Sequence, residues 1–153
     1  MPHRTAALGA AIAVAVASVA GPTRAAEFRS VAAPAVLYDG PSKQARKLFA
    51  APRGMPLEVI STLGQWVKVR DAAGDVVWIE RGDLAERRSV VTQALVPMRA
   101  GPQDTAAVVA SIDRGVLLEL ADPAAPDAAS GWVRVRHRDG TAGFVRAVDV
   151  WGL

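Results

Sequence analysis

Trp66-Val67-Lys68-Val69-Arg70 returns 66 residues later as Trp132-Val133-Arg134-Val135-Arg136. Each run alternates: the two valines point to one side, the tryptophan and basic residues to the other. That is the period of a half-buried β-strand, because successive side chains of a strand leave on opposite faces. Each run then enters a turn, Asp71-Ala72-Ala73-Gly74 or His137-Arg138-Asp139-Gly140, and the Asp-Gly pair of the second is a hairpin signal. Returning strands follow at Val76 to Ile79 and Ala142 to Val145, so that Trp78-Ile79 matches Phe144-Val145.

The correspondence continues upstream at a second offset. Arg53-Gly54 before Leu57-Glu58-Val59 returns as Arg114-Gly115 before Leu118-Glu119-Leu120, and Gly40-Pro41 returns as Gly101-Pro102, both 61 residues on. The registers differ by five residues, which places an insertion in the Pro/Ala/Asp-rich stretch Ala121 to Ser130. Loop length costs little entropy, so this stretch reads as tolerated decoration. Arg29-Ser30-Val31 also has an echo in Arg88-Ser89-Val90. A period of about sixty residues is too long for a solenoid and suits a small self-contained barrel. The chain is expected to be all-β, two copies of one domain over 27–86 and 87–153, after a signal peptide over 1–26.

Within each copy, Ala35 to Tyr38 and Leu95 to Met98 are expected as the first strands, each running into Gly-Pro, where proline cannot donate to a ladder. Leu57 to Ile60 and Leu117 to Leu120 supply further strands. Arg81 to Leu84 and Ala147 to Val150 read as single helical turns closing each copy. The connection Ala85-Glu86-Arg87-Arg88 is too short and too charged for a flexible Gly/Ser linker, so the copies should touch.

The signal peptide rests on Arg4, the uncharged run from Ala6 to Ala20, and the small residues after it, with cleavage expected within 20–26. The apolar run is Ala-rich and falls short of the ~20 residues that span a bilayer, which disfavours an uncleaved anchor and any stable membrane insertion after cleavage. With no cysteine in the chain, attachment through an N-terminal lipidated cysteine is excluded. The expected product is exported, periplasmic or secreted. Without disulfides, such small units must rely on closing their sheets and packing together.

Charge excludes one class of partner. The net +3 includes Arg4 and Arg24 of the leader, and the copies are near neutral, with eight bases and eight acids over 27–86 and eight and seven over 87–153. Nucleic acid would call for a basic face, and the one dense cluster, Lys43, Arg46 and Lys47, reads as a solvated loop. Catalytic groups are equally scarce. After the leader one histidine remains, His137, in a turn between two arginines, and the carboxylates Asp71, Asp75 and Asp83 sit at turns, where aspartate bonds its own backbone. No set of residues has metal-ligand spacing, and a serine nucleophile would have only His137 as base. No enzyme, cofactor or metal is expected.

In this order, the motifs resemble the bacterial SH3 (SH3b) domain family in its exported tandem form: Gly-Pro after a strand, Arg-Gly before an apolar-acidic-apolar strand, Trp-Val-basic-Val-Arg, a glycine turn, then aromatic-aliphatic. The resemblance spans both copies and implies two SH3-like β-barrels of about five short strands each. It implies binding of cell-wall peptide (peptidoglycan) or of partner proteins rather than catalysis. Arg99 matches the family's first-strand arginine, whereas Tyr38 replaces it in the first copy. Val36 and Pro97 stand where an asparagine is expected. Gly143 keeps the glycine before the second aromatic, which is Val77 in the first copy.

Aromatic residues are the remaining binding candidates. Trp66 and Trp132 lie opposite the inward valines and should be either partly exposed binding anchors or structural residues that roof the core or fill the domain junction. Trp78 and Phe144 are expected in the core, and Trp151 is expected to tie down the chain end. The expected ligand-contacting residues are Tyr38, Asp39, Trp66, Arg99 and Trp132. The expected function is a non-enzymatic binding module for cell-wall peptide or an envelope protein. The alternative is a structural subunit packing its barrels against other envelope proteins.

Overall fold

The computed structural model describes residues 25–122 and 130–153. The expected signal peptide and its cleavage site, apart from Ala25 and Ala26, lie outside these residues, as does most of the inserted loop.

Two seven-stranded antiparallel sheets make up the molecule. The first contains β1 (Glu27–Val31), β2 (Ala35–Tyr38), β3 (Lys47–Ala51), β4 (Pro56–Leu63), β5 (Trp66–Arg70), β6 (Val76–Glu80) and β7 (Leu84–Ala85). The second contains β8 (Ser89–Thr92), β9 (Val96–Arg99), β10 (Val108–Ile112), β11 (Leu117–Leu120), β12 (Trp132–Arg136), β13 (Ala142–Arg146) and β14 (Val150–Trp151). Their spatial orders are the same strand for strand, β3-β2-β6-β5-β4-β1-β7 and β10-β9-β13-β12-β11-β8-β14. The expected helical turns are 3-10 turns at Arg81–Asp83 and Ala147–Asp149, each leading into a closing two-residue strand. No helix among the described residues is long and apolar enough to cross a membrane.

The alternating runs behave as strand periodicity requires. Val67, Val69, Val77 and Ile79 are buried in one core, and Val133, Val135 and Val145 in the other. Between them, Trp66, Lys68 and Trp78, and likewise Trp132 and Phe144, stay half-buried on the outer side. Two expectations need correction here. Ala35 to Tyr38 is not the first strand: β1 precedes it, pairing with β4 through Arg29↔Leu57 and with β7 through Val31↔Leu84. The Arg-Ser-Val echo was therefore a strand of each barrel. Trp78 and Phe144 are not core residues either, because their strands' inward positions are taken by Val77 and Ile79, or Gly143 and Val145.

The barrels meet, as the short charged connection implied. The backbone N–H of Ser89 donates to Ser30 Oγ at 2.8 Å, both residues being buried. Trp151 packs edge-on against Phe28 of the first barrel, ring centroids 5.0 Å apart, so it joins the two barrels as well as securing the chain end. Arg88 lies over the Phe28 ring at 5.9 Å and donates to the Gly152 carbonyl at 2.8 Å. Burial, and after it the Arg29 charge, push the Arg88 guanidinium below its ordinary pKa. Gly152 is required by position: its φ is +119°, and a Cβ there would stand 2.9 Å from the Ser89 carbonyl oxygen.

Candidate functional site

The outer face of the first barrel gathers an aromatic set. Tyr38 on β2 lies opposite Trp78 on β6, which lies opposite Lys68 on β5. The Trp66 ring stands edge-on to Tyr38, centroids 5.3 Å apart, the geometry that aligns a positive ring edge with a negative ring face. Lys68 Nζ lies 5.8 Å from the Trp78 ring centroid. Tyr38 itself is only 8% exposed, so it supports Trp66 from beneath and leaves the half-buried tryptophans as the accessible surface.

The second barrel builds the equivalent face from different residues. Arg99 on β9 lies opposite Phe144 on β13, which lies opposite Arg134 on β12. Trp132 receives the Arg146 guanidinium at 5.7 Å from its ring centroid. Phe144 and Arg99 occupy the places of Trp78 and Tyr38, so this face carries more cationic and less aromatic surface.

Beside each face a loop is pinned by an ion pair, with its polarity reversed between the copies. Lys43 Nζ meets Glu80 at 3.3 Å in the first barrel, and Asp104 meets Arg146 at the matching positions of the second. The hydrogen bond from Arg146 holds the Asp104 carboxyl below its usual range, and the same contact raises the guanidinium. Asp39 also braces the first loop: Oδ1 accepts the Arg46 N–H at 2.9 Å and Oδ2 pairs with Arg46 Nε at 3.2 Å. Arg99 does this in the second barrel by donating to the Ala106 carbonyl at 2.8 Å.

Of the residues singled out from sequence, Tyr38 and Trp66 are brought together, Trp132 and Arg99 hold the matching places in the other barrel, Arg99 also bracing a loop, and Asp39 is a loop brace at the margin. Sequence reasoning missed Trp78, Lys68, Phe144 and Arg146. Alternation was the signal for all four: Lys68 shares its strand face with Trp66, Trp78 lies between the inward Val77 and Ile79, and Phe144 and Arg146 flank the inward Val145. Among the described residues no group of three or more His, Cys, Asp or Glu side chains could hold a metal ion. Half-buried tryptophans beside cations offer flat apolar area together with positive charge, which suits a peptide whose carboxylates lie close to apolar groups.

Comparison with known proteins bears on this arrangement. The model of the bacterial SH3 domain matches the chain twice, over 31–86 and 92–152. Among solved structures, NlpC2 from Trichomonas vaginalis is similar with a TM-score of 0.37 and 10% identity, over 82% of this chain and 48% of that one. NlpC1 from the same organism is similar with a TM-score of 0.36 and 13% identity, over 87% of this chain and 48% of that one. The chain thus spans about half the length of each. No curated protein matches it.

Proposed function

Because the chain belongs to the bacterial SH3 domain family, we propose that it is an exported binding module whose barrels, residues 27–86 and 87–153, take cell-wall peptide on their outer aromatic faces. One observation carries this reading: a half-buried tryptophan stands at the same strand position in both barrels, with a cation beside the ring system of each face. The tryptophan supplies apolar contact area at low conformational cost, and Lys68, or in the second barrel Arg146 beside Trp132 with Arg134 opposite Phe144, supplies charge for a peptide carboxylate. An envelope protein is the other ligand such a face could take, and the same experiment distinguishes the two.

The test is retention of the purified protein on isolated peptidoglycan. Saturable retention, weakened in Trp66→Ala and Trp132→Ala by about 2 kcal/mol, roughly thirtyfold, supports the wall as ligand. Both variants should stay folded, because each ring is only half-buried. Val69→Ala, which empties part of a fully buried site, should instead lower the melting temperature while leaving the binding surface in place. No retention, with a defined envelope protein recovered instead, sinks the wall reading. A tryptophan variant that melts as early as Val69→Ala shows that its ring belongs to the core.

A further inference from the structure

The junction between the barrels holds a cleft of about 410 Å³ whose charge is unlike the rest of the molecule. Arg53 enters it from the turn before β4, Arg87 from the connection between barrels, and Arg136 and Arg138 from the end of β12 and the hairpin after it. His137 lines it as well, with Nδ1 3.0 Å from Asp139 Oδ2. The one carboxylate in the lining is Glu119, and it pairs with Arg87 at 3.3 Å. No ion pair forms on Arg53, Arg136 or Arg138 among the described residues. Four guanidiniums against one carboxylate leave an excess of three positive charges in one cleft, as many as the net charge of the whole chain.

Half of this charge is peculiar to the junction: Arg53 and Arg136 recur in the repeat as Arg114 and Arg70, whereas Arg87 and Arg138 have no basic counterpart. The first-barrel counterparts of His137 and Arg138 are Asp71 and Ala72, which line a separate, largely apolar cleft with Leu117 and Val91. The counterpart of Arg53 is Arg114, which lies outside both clefts. The cationic set exists only where the two barrels come together.

We propose that this junction cleft is a binding site for a compact ligand carrying two or more negative charges on phosphate or carboxylate oxygens. The guanidinium fork matches both groups in bidentate geometry, and its charge persists at any physiological pH. The volume fits a small molecule or the charged end of a larger one. Like charges gathered in a concave site raise the local potential and draw anions to it, and a bound dianion relieves their mutual repulsion. Arg53 and Arg138 come from different barrels, so the ligand also bridges the barrels.

Isothermal titration of the full chain at physiological ionic strength, with inorganic pyrophosphate in one arm and citrate in the other, tests this. Saturable one-to-one binding of either probe is expected, and the tighter arm identifies phosphate or carboxylate as the group recognised. The Arg136→Gln/Arg138→Gln protein, and separately Arg53→Gln, should each bind at least about tenfold more weakly. Arg114→Gln should bind as the parent does, and so should Trp66→Ala, which separates this site from the aromatic faces. These arginines are exposed, so the melting temperature should not move, and if one variant fails to fold the other still reports. Absence of binding by both probes up to about 10 mM overturns the proposal. Equal weakening in Arg114→Gln, or none in the cleft variants, overturns it too.

Discussion

The two barrels share a strand order, yet they fill their interiors with different pairs of residues. In the first, Leu37 and Val77 are both buried in the core. At the matching places of the second stand Met98 and Gly143, and Met98 Cγ lies 2.6 Å from where a Gly143 Cβ would be. The longer methionine occupies the room that the valine side chain holds in the first copy. Outside, the loop ion pair changed in the same paired manner, Lys43–Glu80 against Asp104–Arg146. The comparison teaches that the repeat preserves volume and charge balance at each place while exchanging the residues that supply them, because a change in one partner alone leaves a clash, a void or an unpaired charge.

The strongest way to break that comparison is Gly143→Val, which gives the second barrel the first barrel's residue. A Cβ there meets both Met98 and the Arg99 carbonyl oxygen, each at 2.6 Å. Overpacking against backbone should cost about 3 kcal/mol, a large share of the stability of a small fold. Adding Met98→Leu, which completes the first barrel's pair, should recover part of the loss, since it relieves the side-chain overlap and leaves the carbonyl. Chemical denaturation of the single and double variants measures both. If Gly143→Val melts with the parent, the interiors are not tuned in pairs.

A smaller effect is expected from the hairpin turns that follow β5 and β12. Asp71 is 8% exposed, and its Oδ1 accepts the N–H groups of Ala73 and Asp75, each at 2.9 Å. Asp71→Ala leaves both donors without that acceptor and should destabilise by about 1–3 kcal/mol, whereas Asp71→Asn, which keeps an acceptor oxygen, should cost clearly less. Equal losses for the two would show that charge at Asp71, rather than hydrogen bonding, supports the turn.

What the sequence disclosed and what it withheld follow from the range of each interaction. Alternation along Trp66 to Arg70 is local, and it placed Val67 and Val69 inward without reference to any other strand. The repeat then transferred that assignment to Val133 and Val135. The strand at Glu27–Val31 was harder to recognise because its partners, β4 and β7, lie far along the chain, and Phe28 is occupied at the barrel junction by Trp151. Trp78 reads from sequence as a core residue, because a tryptophan can roof a small barrel, yet Val77 and Ile79 already fill both inward places of its strand. The cationic cleft left only a fragment in the local sequence, Arg136-His137-Arg138. Arg53 and Arg138 are distant in sequence, each half of the chain is near neutral, and only the packing of one barrel on the other brings the guanidiniums together.

The smallest effect concerns the second hairpin, where the equivalent support comes from a different position. Asp139 matches Ala73, not Asp71, and its Oδ1 accepts the Thr141 N–H at 2.8 Å. That backbone hydrogen bond first, then the Thr141 side chain and His137, hold the Asp139 carboxyl down to about 2 against an ordinary 3.8. A folded-state pKa below the unfolded one means that the charged form favours folding. The contribution is therefore complete above about pH 5 and is lost as the pH falls through 4 toward 2. Asp139→Asn cannot carry this charge, so its melting temperature should lie below the parent's at pH 7, and the gap should close between pH 4 and pH 2. Because Asp139 is exposed, solvent screens the effect and the gap should be smaller than that of Asp71→Ala. Melting curves of parent and variant at pH 7, 4 and 2 provide the measurement, and a gap that persists unchanged at pH 2 would show that the turn depends on the shape of the side chain and not on its charge.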